Sequence, residues 1–140
     1  MKPVYLMLIS LFFFGAIITS QSQTVKTDSE EKVVDKAVIE VYYFHNTRRC
    51  ATCQAVESVT KNTLEESYAK QMETGEITFQ SLDLEDDSNE PLARKLNVSG
   101  QTLLFVKGNK KKDLTNDAFL YARNSPEKLQ AKIIKTVESL

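Results

Sequence analysis

The chain has 140 residues and a formal net charge of −1 with histidine neutral, because 18 Lys and Arg residues nearly balance 19 Asp and Glu residues. This length bounds the chain to one domain plus any targeting segment. The charge balance gives no indication of nucleic-acid binding, which relies on a basic surface. The chain holds two cysteines and one histidine, so only one intramolecular disulfide pairing is possible.

The N-terminus has the order of a secretory signal peptide. Lys2 supplies a positive charge, residues 4–18 are almost entirely apolar, and small polar residues follow up to residue 22. The apolar stretch is shorter than the ~20 residues that a membrane-spanning helix needs. We therefore predict a signal peptide over residues 1–22, with an uncleaved N-terminal anchor as the alternative. Either one places the domain outside the cytoplasm, in the periplasm or secreted, with no other contact with a membrane.

Residues 23–35 are polar and predict a tether, and residues 36–140 are long enough for a single domain with one core. We expect this domain to be a monomer. Its first element is an apolar and aromatic run over residues 38–44, whose single charge is Glu40. Such a run predicts a buried strand.

From Cys50 onward the apolar period changes to three and four residues, which predicts a helix over residues 50–72 that stops near Gly75. Cys50 then lies at the helix N-terminus, and Cys53 lies one turn further along the same face. Free backbone N–H groups and the helix dipole favour a thiolate at the first position. We therefore expect Cys50 to be the attacking sulfur and Cys53 the resolving one.

The remaining elements are shorter. Alternation over residues 77–84 predicts a second strand, and a turn and a short helix follow up to residue 96. Residues 102–107 and 110–114 predict two strands joined by a tight turn. Residues 119–121 fall in an irregular connection, and a closing helix begins at Ser125 and Pro126.

A Cys-x-x-Cys motif alone fits a redox pair, half of a zinc site or a structural disulfide. Outside the cytoplasm a cysteine pair can persist as a disulfide. A disulfide that staples a fold gains more by closing a long loop, however, and this one closes almost none. The position of the motif at a strand-to-helix junction therefore favours a redox-active dithiol.

The resulting order βαβαββα resembles the thioredoxin fold over residues 36–140. This resemblance implies an α/β domain with a mixed four-stranded sheet flanked by helices, and dithiol chemistry at Cys50 and Cys53. More narrowly, residues 41–57 resemble a small exported bacterial family, the ArsF-type subunit of a nitrophenyl-compound nitroreductase. That resemblance implies a thioredoxin-like partner in a reductive system.

Two positions depart from the thioredoxin pattern. The proline that thioredoxins carry beside the dithiol should fall at Gly100 or Gln101, directly before Thr102, and neither residue is proline. The resemblance implies that this loop lies beside the dithiol. In thioredoxins the proline positions the backbone for a substrate peptide and keeps metal from the sulfurs, so its absence argues against general disulfide exchange and against the exclusion of metal. The buried carboxylate that assists proton transfer in thioredoxins should fall near Phe44, where the residues are apolar.

Four residues could support the dithiol. His45 could accept a proton or favour a thiolate, or it could be a loop histidine without a partner. Glu57 could hydrogen-bond near the dithiol, or it could pair with Lys61 one helical turn away. The remaining two are Arg48 and Arg49, which precede Cys50 and add positive charge close to its sulfur, although both could be plain loop charges.

These features predict an exported thiol–disulfide oxidoreductase or electron-transfer partner that acts on protein thiols or disulfides and needs no cofactor beyond its own disulfide. A metal-binding module is the competing prediction, with His45, Cys50 and Cys53 as ligands of Cu(I) or Zn(II). A third possibility is a non-catalytic interaction domain in which the disulfide locks the loop.

Overall fold

A computed structural model describes residues 38–140, so the predicted signal peptide and tether lie outside the described residues. The elements occur in the order β1 (Ile39–His45), α1 (Ala51–Ser67), α2 (Ala69–Glu73), β2 (Ile77–Asp83), α3 (Glu90–Leu96), β3 (Thr102–Lys107), β4 (Lys110–Asp113), α4 (Thr115–Tyr121) and α5 (Pro126–Glu138). None of these helices is long and apolar enough to cross a membrane.

The strands form one mixed sheet in the order β2-β1-β3-β4. β1 pairs in parallel with β2 and antiparallel with β3, and β3 pairs antiparallel with β4. Two parallel strands are therefore joined through helices, and a hairpin and a closing helix follow. The architecture is α/β and thioredoxin-like, which confirms the predicted fold class.

Side chains of β1 alternate between two buried layers, as the period of a strand requires. Val41 and Tyr43 belong to the core beneath α1 and α5, whereas Tyr42 and Phe44 pack with α3 on the opposite face of the sheet. Because both faces of β1 are covered, the strand reads in the sequence as a continuous apolar run.

The predicted first helix is wrong in one respect, because it is divided. Tyr68 leaves the helical conformation with φ −135° and separates α1 from α2. Its ring packs against the core, and its hydroxyl donates to the carbonyl of Ile134 in α5 over 3.4 Å. This contact with a distant helix accompanies the break. The predicted stop at Gly75 is confirmed by its left-handed φ of 73°, which favours glycine.

The predicted irregular connection at residues 119–121 is also wrong. These residues end helix α4, whose buried side is formed at intervals of four by the N-cap residue Leu114, by Ala118 and by the C-cap residue Ala122. Alanines bury a helix face without a strong apolar signal in the sequence. The Asp113 carboxylate accepts the backbone N–H of Thr115 over 2.8 Å and so helps the helix to begin.

Replacement of the fully buried Leu64 tests the packing of α1 on this core. We expect Leu64→Ala to lower the free energy of unfolding by about 2–5 kcal/mol, since it removes buried methyl groups and leaves a cavity. The matched control is Leu120→Ala, because Leu120 is 61% exposed and its loss should cost no more than ~0.5 kcal/mol. Equal losses in urea titrations of the two variants would contradict the described burial.

Candidate active site at the cysteine pair

The two cysteines lie where the central strand leads into α1. β1 ends at His45, and α1 begins at Ala51 after a short loop. Cys50 is the N-cap residue, with extended backbone angles of φ −81° and ψ 166°. Its Sγ accepts the backbone N–H of Cys53 over 3.3 Å. The sulfur therefore takes the place that a Ser or Asp oxygen takes at other helix N-termini.

Cys50 and Cys53 form a disulfide, and their Cα atoms are 5.1 Å apart. Cys50 is exposed, whereas Cys53 is only 2% exposed. Cys50 is therefore the cysteine that a partner reaches more readily. The N-terminus of α1 also favours negative charge on Cys50 when the bond is reduced.

Tyr43 lies beneath the second cysteine. Its hydroxyl donates to the carbonyl of Cys53 over 3.0 Å, and its side chain is fully buried. Burial raises the pKa of Tyr43 to about 12, while the charge of Arg49 acts in the opposite direction. The position expected for the family's carboxylate was placed near Phe44, but Phe44 points into the layer beneath α3. The residue under Cys53 is Tyr43, which the sequence marks only as an aromatic core residue.

The loop before β3 reaches the pair from the other side. The side-chain amide oxygen of Gln101 lies 3.2 Å from Sγ of Cys53. Thr102 donates its hydroxyl to the carbonyl of Gly100 over 2.9 Å, which fixes the turn of this loop. Every peptide bond within residues 38–140 is trans. The structure thus brings Gln101 to the dithiol at the place where the thioredoxin pattern has proline.

Arg49 and Glu57 form an ion pair in which both side chains are largely buried, at 29% and 25% exposure. The predicted alternative, a pair between Glu57 and Lys61, is wrong, because Lys61 instead lies 3.8 Å from Glu65. The ion pair ties the loop before Cys50 to the second turn of α1. Arg48 remains exposed in that loop.

His45 is buried and is the last residue of β1, so the alternative of a loop histidine without a partner is wrong. Its Nδ1 lies 3.0 Å from the carbonyl oxygen of Asn46, and its ring centroid lies 5.7 Å from that of Tyr43. Its strand partner Asp83 accepts the Thr47 hydroxyl and the backbone N–H of Glu85. These hydrogen bonds hold the pKa of the Asp83 carboxyl below its usual value, with smaller contributions from His45 and Arg49.

The ligand set of the predicted metal site does not come together. Within residues 38–140 no group of three or more His, Cys, Asp and Glu side chains is placed to hold a metal ion. A groove of about 620 Å³ borders the site instead. It runs between α3 and the loop before β3, and Asn46, Arg94, Gly100 and Gln101 are among its lining residues.

No protein-family model matches the chain, and no curated protein matches it either. Among solved structures, the chain is similar to oxidised thioredoxin O2 from Arabidopsis thaliana, with 29% identity and a TM-score of 0.43. That alignment covers 56% of this chain and 62% of the Arabidopsis chain, so it spans less than two thirds of that protein.

Two further structures are similar. One is described as a malarial protein, with 27% identity, a TM-score of 0.44 and coverage of 71% of this chain and 96% of that one. The other is the germline-specific thioredoxin Deadhead from Drosophila melanogaster, with 22% identity and a TM-score of 0.46. Its alignment covers 71% of this chain and 81% of that one.

Replacement of Tyr43 by phenylalanine tests the support beneath Cys53. At pH 8 we expect Tyr43→Phe to lower the free energy of unfolding by about 1 kcal/mol, since the carbonyl of Cys53 loses its donor. The folded pKa of Tyr43 is raised from 10.0 to about 12, so the unfolded chain releases this proton first. The stability contributed by the neutral hydroxyl is therefore lost as pH rises from about 10 to about 12.

Denaturant titrations at pH 8 and pH 11 measure this effect. The difference in the free energy of unfolding between the variant and the wild type should narrow to zero or reverse at pH 11. At that pH the wild type loses stability, because its unfolded chain releases the Tyr43 proton while its folded form retains it, and the variant has no such group. Tyr42 and Tyr68, whose pKa values are also raised, remain in both proteins and cancel in the difference. The same difference at both pH values would contradict this role.

Proposed function

We propose that the protein exchanges thiols and disulfides through Cys50 and Cys53. The observation that carries the proposal is the asymmetry of the pair, in which the exposed residue Cys50 at a helix N-terminus is bonded to the buried Cys53 one turn away. An exposed thiolate can attack a partner, and a buried neighbour can resolve the product only from within the molecule.

In the reduced protein, the Cys50 thiolate attacks one sulfur of a partner disulfide. The bond between the partner's sulfurs breaks, its leaving sulfur takes up a proton, and Cys50 is held in a mixed disulfide. Cys53 then loses its proton and attacks the Cys50 sulfur. The Cys50–Cys53 disulfide forms, the second partner thiol is released, and two electrons have passed from the protein to the partner. The reverse sequence oxidises a partner dithiol.

The local structure supports both steps. The backbone N–H of Cys53 lies 3.3 Å from Sγ of Cys50 and remains available to a thiolate there. The ion pair of Arg49 with Glu57 fixes the loop before Cys50 against α1. The hydrogen bond from Tyr43 to the carbonyl of Cys53 fixes the first turn of α1 against β1. The two sulfurs therefore stay within reach of each other with little rearrangement.

The proposal includes the place of action and the partner. The predicted signal peptide favours export, and a protein thiol or disulfide is the partner that an exposed Cys50 fits. We also propose a role in a reductive system, which is what the resemblance of residues 41–57 to the ArsF-type family implies; no family model supports that narrower assignment. His45 lies beside Tyr43 rather than in the loop before Cys50, so we propose for it a supporting place at the base of the site.

Single-cysteine variants treated with glutathione disulfide test the assignment of roles. We expect Cys53→Ala to form a stable glutathione adduct on Cys50, because no resolving sulfur is left. Cys50→Ala should form its adduct at least ~10-fold more slowly, since Cys53 is only 2% exposed and burial raises the pKa of a thiol and blocks access to it. Mass spectrometry of quenched samples measures both rates.

The reduced wild type is the control, and it should pass through the adduct to the intramolecular disulfide. Equal adduct rates for the two variants would contradict the assignment of Cys50 as the attacking sulfur. A stable adduct on the wild type would show that Cys53 does not resolve it.

A further inference from the structure

The side chain of Gln101 contacts the buried sulfur of the dithiol from a distant part of the chain. Its amide oxygen lies 3.2 Å from Sγ of Cys53, and the two residues are 48 positions apart in the sequence. Gln101 is half-buried between the dithiol and the neighbouring groove. A polar atom of Gln101 therefore contacts Cys53, one of the two sulfurs of the pair.

The chemistry of this contact depends on the redox state. In the disulfide the Cys53 sulfur carries no hydrogen and cannot donate to the amide oxygen. On reduction the same sulfur becomes a thiol, and its S–H is then placed to donate to the oxygen of Gln101. A side-chain amide accepts hydrogen bonds but does not take up the proton at neutral pH. The contact therefore stabilises the thiol of Cys53 and not its thiolate.

The two sulfurs are thus given opposite polar environments. Cys50 faces a donor, the backbone N–H of Cys53, and this favours a negative sulfur. Cys53 faces an acceptor, the oxygen of Gln101, and this favours a protonated sulfur. This arrangement matches the order of attack, since Cys50 must be a thiolate to attack the partner while Cys53 remains a thiol until the mixed disulfide has formed.

We propose that Gln101 is a positioning residue that sets the redox equilibrium of the dithiol by stabilising its reduced form. The inference rests on the proposed exchange function. In the reaction with glutathione, two glutathione thiols reduce the Cys50–Cys53 bond and leave as one glutathione disulfide, with two electrons and two protons transferred to the protein. The new S–H group of Cys53 donates a hydrogen bond to Gln101. This hydrogen bond is absent from the oxidised protein, in which the sulfur carries no hydrogen.

The test is the equilibrium of the full chain with reduced and oxidised glutathione at pH 7, read by alkylation of free thiols and mass spectrometry. We expect Gln101→Leu to lower the equilibrium constant for reduction about twofold to fivefold, as the loss of one weak hydrogen bond requires. At 29.6 mV per tenfold change, this is a reduction potential ~9 to ~21 mV more negative.

Three further variants separate this role from a structural one. Gln101→Met keeps the length of the side chain and replaces the amide oxygen by a thioether sulfur, a much weaker acceptor, so it should behave nearly as Gln101→Leu does. Gln101→Glu keeps an acceptor and should restore the wild-type constant or exceed it. Ser99→Ala, in the same loop at an exposed position, should leave the constant unchanged.

If the equilibrium constants for reduction of both apolar variants lay within ~1.5-fold of the wild-type constant, the proposal would be overturned. Loss of a hydrogen bond that stabilises the thiol should change the constant by more than that. A shift in the opposite direction would also overturn it, since the amide would then be donating N–H to the sulfur. The measurement needs no physiological partner. Exchange by the wild type with an unchanged constant in the variants would reject the role of Gln101 alone, whereas a wild-type reduction potential below about −300 mV would reject the proposed function.

Discussion

Strand β1 is paired along its length with β2 on one side and β3 on the other, and this pairing positions every part of the candidate site. Its alternation places Tyr43 under α1, where the hydroxyl reaches the carbonyl of Cys53. The antiparallel register sets Thr102 opposite Phe44, so Gln101 lies at the same end of the sheet. A shift of one residue in that register would turn the inward side chains outward.

The two cysteines of the candidate site have different electrostatic surroundings. Cys50 lies at a helix N-terminus, and the nearby guanidinium of Arg49 is paired with Glu57. Cys53 is enclosed by Tyr43 below and Gln101 beside it. One sulfur is therefore exposed and favoured as an anion, and the other is buried and favoured as a thiol. A disulfide between two such sulfurs has a defined point of attack, which a symmetric structural bond lacks.

The sequence predicted what depends on local patterns. The apolar run of β1, the period change at Cys50 and the glycine that ends α2 each follow from one short segment, and the structure has all three. The break at Tyr68 accompanies a contact with Ile134, and the inner side of α4 is marked by Ala118 and Ala122, which give little apolar signal. Neither could be deduced from its own segment.

The side-chain contacts of the site were harder to predict for the same reason. Glu57 pairs with Arg49 outside the helix rather than with Lys61, because the loop folds back on the second turn of α1. The sequence predicts Gln101 only as part of the loop beside the dithiol, since its contact with Cys53 depends on the strand register across the sheet. The sequence predicts Tyr43 as a core residue, and only the structure shows that its hydroxyl supports the cysteine turn.

The reduction potential of the Cys50–Cys53 pair in the wild-type chain tests the central claim most directly. It is measured by equilibration in glutathione or dithiothreitol buffers followed by alkylation of free thiols. Exchange chemistry predicts a value between about −270 and −120 mV, the range spanned by dithiol catalysts. A value below about −300 mV would place the bond among structural disulfides and contradict the proposed function.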